Sequence, residues 1–117
     1  MLNMNEDIKI YLRLEPTDMR KSIDTLSILV VEVLELNPSS GHLFIFRNRQ
    51  ADKLKILYYE QNCFNLWYRR LEKGKFVFPK DKNGHIEMSM EHFKWLLASD
   101  KFTQLEAQIK QNIQDYF

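Results

Sequence analysis

The period of the hydrophobic pattern changes along this chain, and that change limits the folds open to it more than any other feature. Residues 8 to 14 alternate apolar and polar side chains, the repeat of a strand with one buried face. Met19, Ile23, Leu26, Val30 and Val33 then recur at spacings of four, three, four and three. A helix puts such positions on one side, and Leu29 and Leu34 widen the stripe. Pro16 separates the two patterns, and Thr17 or Asp18 is expected to cap the helix by accepting from the free amides of its first turn. The helix is expected to stop near Leu36, because a residue before proline disfavours the α region and Asn37-Pro38 follows.

After the turn Ser39-Ser-Gly41 the strand-like pattern returns. Leu43–Arg47, Leu54–Tyr59, Phe64–Leu71 and Lys75–Phe78 read as four strands. Short polar turns join them, including 48–52 and Glu72-Lys-Gly74, so an antiparallel meander is expected. On the second of these strands Leu54, Ile56 and Tyr58 are the expected core face, and Lys53, Lys55, Leu57 and Tyr59 the wet one. Asp81-Lys-Asn-Gly84 is a further turn, and His85–Met88 a short extended piece. Ser89 opens a second helix whose apolar face is Met90, Phe93, Leu96 and Leu97. Ser99-Asp100 interrupts it, and Phe102, Leu105, Ile109 and Ile113 mark a last amphipathic, Gln-rich stretch. The expected fold class is α+β: an N-terminal strand and amphipathic helix, a central antiparallel β-meander and C-terminal helices. Residues 1–99 form the expected single domain and 100–117 a helical tail.

Composition excludes several classes. A chain of 117 residues with 44% hydrophobic content is long enough to bury one core without staples. Its one cysteine, Cys63, rules out an internal disulfide framework. The longest uncharged apolar patch, Leu26 to Val31, falls far short of the roughly 18 to 20 residues of a membrane helix. The opening residues lack the basic start and apolar stretch of a signal peptide, so a cytoplasmic protein without membrane contact is expected.

The net charge of +1 hides a strong asymmetry. Between Gly41 and Lys82 there are ten Lys and Arg against four Asp and Glu, a net of +6. The rest of the chain has seven basic and twelve acidic residues, a net of −5. Aromatic side chains interleave with the central cations, as in Trp67-Tyr-Arg-Arg70. Cations pair with phosphates, and exposed rings stack on bases or pack against sugars. The same residues also suit a plain fold, with cations keeping strand edges soluble and the aromatics in the core.

Catalytic and metal chemistry find no matching pattern. His42, His85, His92 and Cys63 lack the paired spacings that bring ligands to one site, and no cofactor is implied. Cys63, in an expected turn, has no neighbouring base to stabilise a thiolate. There is no G-x-S-x-G motif and no glycine-rich phosphate loop. A two-metal nuclease needs converging carboxylates, and Asp18 and Asp24, six apart, need not share a helix face. A capping role suits Asp18 and a solvated position Asp24.

Four blocks of sequence carry a resemblance. Asp18-Met-Arg-Lys-Ser-Ile-Asp24 resembles a D-M-R-K-G-F-D signature, and the block from Pro38 to Arg49 resembles P-x-S-G-x-L-F-x-F-x-N-R. Residues 55–59 and 66–76 resemble K-x-L and L-W-x-K-R-L-E-x-G-x-F blocks. These are motifs of the small TnpB-like accessory proteins, second-reading-frame products of the insertion sequence sixty-six family, and their order holds over about residues 8 to 97. Ser22 and Cys63 stand where glycine is common, and Arg69 where lysine is common. The resemblance implies a role in transposition beside a separate, larger transposase, and it implies no assigned catalytic residues.

The functional expectation is therefore a non-catalytic accessory protein that binds DNA through a basic β-surface within a transposase complex. Arg47, Arg49, Lys53, Lys55, Arg69, Arg70, Lys73 and Lys75 are the expected phosphate contacts. Arg20 and Lys21 join them from the expected helix start, where Arg20 equally suits a pair with Asp24. The alternative is a protein-interaction module that holds the transposase through Trp67, Tyr68 and the tail, without touching DNA. A metal-dependent nuclease is a third possibility. The oligomeric state is left open.

Overall fold

A computed structural model describes residues 7–80 and 83–98. The elements run β1 (Ile10–Arg13), α1 (Ile23–Glu32), β2 (Leu43–Arg47), β3 (Lys53–Glu60), β4 (Cys63–Arg70), β5 (His85–Met88) and α2 (Met90–Leu96). This is an α+β fold with one five-stranded mixed sheet, in the order β4-β3-β2-β1-β5. The tail expected over 100–117 lies outside the described residues.

The meander holds for three strands, with β2, β3 and β4 pairing antiparallel in sequence order. A two-residue turn closes the β3–β4 hairpin. Gln61 and Asn62 both take left-handed φ, 52° and 62°, the signs a type I′ turn needs to match the strand twist. Cys63, expected in that turn, is instead the first residue of β4 and faces solvent.

The expected fourth strand, Lys75–Phe78, does not form. Residues 71–79 leave the sheet and fold back on the turn before β3, where the Phe76 amide donates to the Ala51 carbonyl at 2.6 Å and the Leu71 amide to the Asp52 carbonyl at 2.8 Å. Phe76 and Leu71 bury their side chains there. The apolar pattern of Lys75–Phe78 served the core without a ladder. His85–Met88 takes the remaining sheet position, pairing antiparallel with β1.

α1 begins later than expected. Its N-cap is Ser22, not Thr17 or Asp18. The Thr25 hydroxyl accepts from the Ser22 amide at 3.0 Å and donates to the Ser22 carbonyl at 3.1 Å. Ser22 sits at φ −121°, ψ −163°, extended backbone that needs no glycine. The helix ends at Glu32, where Glu35 turns left-handed and the Leu36 amide donates to the Val30 carbonyl. Val33, placed in the buried stripe by its spacing, lies past that end and is exposed.

Because α1 crosses from β1 to its neighbour β2, that pair is parallel and the sheet is mixed. The crossover covers one face. Leu26, Val30 and Leu34 pack there on Phe44, Phe46 and Leu57. α2 and the returning segment cover the other, where Phe93, Leu96, Leu71 and Phe76 pack on Ile10, Leu12, Ile45, Leu54 and Ile56. The result is three layers with two cores. Leu57, expected on a wet face, is 0% exposed beneath α1. β2 had signalled this: Leu43-Phe-Ile-Phe46 is a continuous apolar run, as a strand buried on both faces requires.

Candidate nucleic-acid interface

The strand directions gather the cations. β1 and β2 end, β3 begins and β4 ends at the same edge of the sheet. The connections 14–22, 48–52 and 71–79 lie at that end and carry Arg20, Lys21, Arg49, Lys73 and Lys75. The strand termini add Arg47, Lys53, Lys55, Arg69 and Arg70. The opposite end receives the C-terminus of α1 and the β3–β4 hairpin, with Glu32, Glu35 and Glu60. The cations clustered along the sequence thus gather at one end of the sheet.

Asn48 builds the turn at the centre of the basic end. It is a polar residue only 6% exposed. Its Oδ1 accepts from the amides of Asp52 at 3.1 Å and Lys53 at 3.0 Å, and its Nδ2 donates to Asp52 Oδ1 at 2.6 Å. That amide bond is the main cause of the lowered pKa of Asp52. The turn holds Arg49 outward beside Lys53, along a shallow recess of about 380 Å³ that Thr17, Asp18 and Met19 also line. Sequence reading passed over Asn48 as one turn residue among several. Its signal was its type: an asparagine whose side chain mimics a turn of backbone.

The ten expected contact residues differ in how free they are. Arg49, Arg70, Lys73 and Lys75 are exposed. Lys53 and Arg70 are cross-strand neighbours on the α1 face of the sheet. Arg69 pairs with Leu54 and so points to the α2 face. Arg47 turns inward: its Nε donates to the Leu14 carbonyl at 3.1 Å, and its guanidinium stands 5.2 Å from the Phe78 ring centre. Burial lowers its pKa. Lys55 is half-buried and donates from Nζ to the Lys21 carbonyl at 2.8 Å, tying β3 to the approach to α1.

Arg20 does not pair with Asp24. It precedes the helix, so the i,i+4 spacing has no helical geometry to act through. Its partner is Asp18, reached by Nε at 3.1 and 3.0 Å and by a terminal nitrogen at 2.7 Å. These bonds, with the Arg20 amide on the same carboxylate, hold Asp18 down at about 2. The Arg20 side chain remains 91% exposed. Acids do sit among the cations, but Asp18, Asp52 and Glu72 each face one directly: Arg20, Lys53 at 4.0 Å and Arg70 at 3.7 Å. The excess of positive charge is left over.

Among the described residues, no three His, Cys, Asp or Glu side chains come together as a metal site. His42 Nδ1 accepts from the Lys9 amide at 2.9 Å. No described helix is long and apolar enough to cross a membrane.

The family model of the IS66 Orf2-like proteins matches residues 8–107. The chain belongs to that family. Two relatives come from Sinorhizobium fredii (strain NBRC 101917 / NGR234). Uncharacterized protein y4hO is 35% identical over 98 residues, covering 84% of this chain and 85% of the relative. Uncharacterized protein y4jC is 32% identical over 106 residues, covering 91% of each. No solved structure matches the chain. Membership in the IS66 Orf2-like family makes this a transposition-associated accessory protein. The matched span takes in the whole described sheet, both helices and every residue of the basic end.

Proposed function

We propose that this IS66 Orf2-like protein is a non-catalytic DNA-binding subunit of a transposition complex. The observation that carries the reading is the gathering of cations from three chain segments onto one end of the sheet, with Glu32, Glu35 and Glu60 at the other. A duplex is a line of phosphates, and a cationic end on a protein whose net charge is only +1 steers and orients it. Phosphate contacts position a protein without reading sequence. The role that fits is to hold element ends or target DNA while the transposase performs the chemistry. Its place is the bacterial cytoplasm, where element DNA is handled.

The test is fluorescence anisotropy with duplexes of the element's terminal repeats and of scrambled sequence, across a salt series. Binding should weaken linearly on a log–log plot, with a slope near −0.9 for each phosphate neutralised. Arg69→Glu with Arg70→Glu should weaken both duplexes in a protein that still folds. A folded wild-type protein that binds neither duplex at low salt rejects the reading.

One observation favours a second reading, a module that holds the transposase without DNA contact. Ile28 and Val31, each 53% exposed, stand on the outward flank of α1, with exposed Val33 just past the helix end. Capture of the transposase by nuclease-treated protein, lost in Ile28→Asp, supports it.

A further inference from the structure

Tyr68 is the one aromatic side chain among the described residues that stands mainly in solvent, 53% exposed. Its strand neighbour Trp67 turns to the opposite face and packs edge-on against Tyr58, ring centres 6.2 Å apart. Phe64 and Tyr59 pair with each other, and Phe44, Phe46 and Phe76 are buried. Tyr68 has no such aromatic partner. It lies on the edge strand, opposite Lys55, whose ammonium sits 5.6 Å from the ring centre and is itself fixed by the Lys21 carbonyl. Two residues along the same face comes Arg70, paired across the strands with Lys53.

We propose that Tyr68 is a stacking platform for an unpaired base, with Arg70 and Lys53 taking the adjoining phosphate. The inference rests on the DNA-binding reading and names the form of DNA that the basic end prefers. A base inside a duplex presents only its edge in a groove. A tyrosine ring on a strand therefore meets a base face only where the base is out of the stack, at a frayed end, an overhang or a single strand. Stacking is tolerant of sequence because every base has a π-face, and nearby cations hold the backbone beside the ring. The strand places Tyr68 and Arg70 about 7 Å apart along one face, within the reach of a single nucleotide. The contact given for the Tyr68 ring is the Lys55 ammonium, and neither core cluster includes the ring, so about half of it stays open to a ligand.

The experiment compares three fluorescent DNAs at one salt concentration: oligothymidine, a blunt duplex, and that duplex with a short overhang. Wild-type protein, Tyr68→Ala and Tyr68→Phe are titrated against each, with circular dichroism confirming their folds. Tyr68→Ala should weaken oligothymidine and overhang binding by roughly tenfold while leaving the blunt duplex within about twofold, and Tyr68→Phe should retain the affinity. Tyr68→Phe also guards against loss of fold, since it keeps the ring and the volume. If wild-type protein binds DNA but Tyr68→Ala leaves oligothymidine unchanged, stacking is overturned and the basic end stands. Wild-type binding to none of the three removes both. Unchanged oligothymidine affinity with lost capture of the transposase makes Tyr68 a protein contact, and also overturns the proposal.

Discussion

At the scale of single residues, the basic end divides its cations between holding the fold and facing outward. Arg47 belongs to the first group. It supports the Leu14 carbonyl and lies over the Phe78 ring, joining the end of β1 to the segment that folds back on the turn before β3. Arg47→Ala should cost about 1–2 kcal/mol in urea unfolding, because it leaves a partly buried carbonyl without its donor. Its effect on DNA affinity in the folded variant should be smaller than that of Arg70→Ala. Arg20 belongs to the second group. Its bonds hold the Asp18 carboxyl at about 2, against an ordinary 3.8. A lowered folded pKa means that the contact favours the folded state above pH 3.8 and loses its effect as pH falls from there through about 2. An NMR titration should give Asp18 a midpoint near 2, and Arg20→Ala should return it toward 3.8.

At the scale of elements, local chemistry explains where each begins and stops. Thr25 closes the first turn of α1 on Ser22, so the helix starts there although its apolar stripe begins at Met19. Asp18 was a reasonable cap by type, but its carboxylate is occupied by the Arg20 amide and guanidinium. The β3–β4 hairpin carries a local cost. Gln61, a side chain with no special tolerance for positive φ, takes 52°. Gln61→Gly should stabilise the protein by about 0.5–1 kcal/mol in urea unfolding, the relief of left-handed strain less the entropy that glycine adds to the unfolded chain. A destabilised variant would show that the Gln61 side chain contributes contacts that outweigh the strain.

For the molecule as a whole, the sheet separates two cores and orients one charged end. Leu57 lies fully buried between β3 and α1, and Leu57→Ala should cost about 2–5 kcal/mol, a large share of a domain's stability. Chemical denaturation checks it. The same layering sets which face each cation presents. Lys53 and Arg70 share the α1 face, and Arg69 lies on the other. Lys53→Glu with Arg70→Glu should lower the magnitude of the salt slope by about 2, and Arg69→Glu by about 1 or less. Equal effects from either face would place the DNA across the end of the sheet rather than against α1.

Much of this was legible in the residues alone. Period-two and period-3.6 repeats placed β1, α1, β2, β3, β4 and α2 within a few residues, because side-chain burial on one face is written directly into spacing. The motif blocks placed the chain in its family, and the surplus of cations between Gly41 and Lys82 marked the stretch that supplies eight of the ten cations of the basic end. Three things were decided by tertiary structure. Whether Lys75–Phe78 joins the sheet depended on what lies beside it: the turn at Ala51 takes its amide, and β5 takes the free side of β1. Whether the Lys53, Lys55, Leu57 and Tyr59 face is wet depended on α1 landing there, which makes it a core around Leu57 and leaves Lys53 near the open end. Whether a cation faces outward or inward depended on neighbours from distant sequence: Leu14 for Arg47 and Lys21 for Lys55. Spacing records which residues share a face. What covers that face is settled only when segments far apart in the chain compete for the same surface and the same hydrogen bonds.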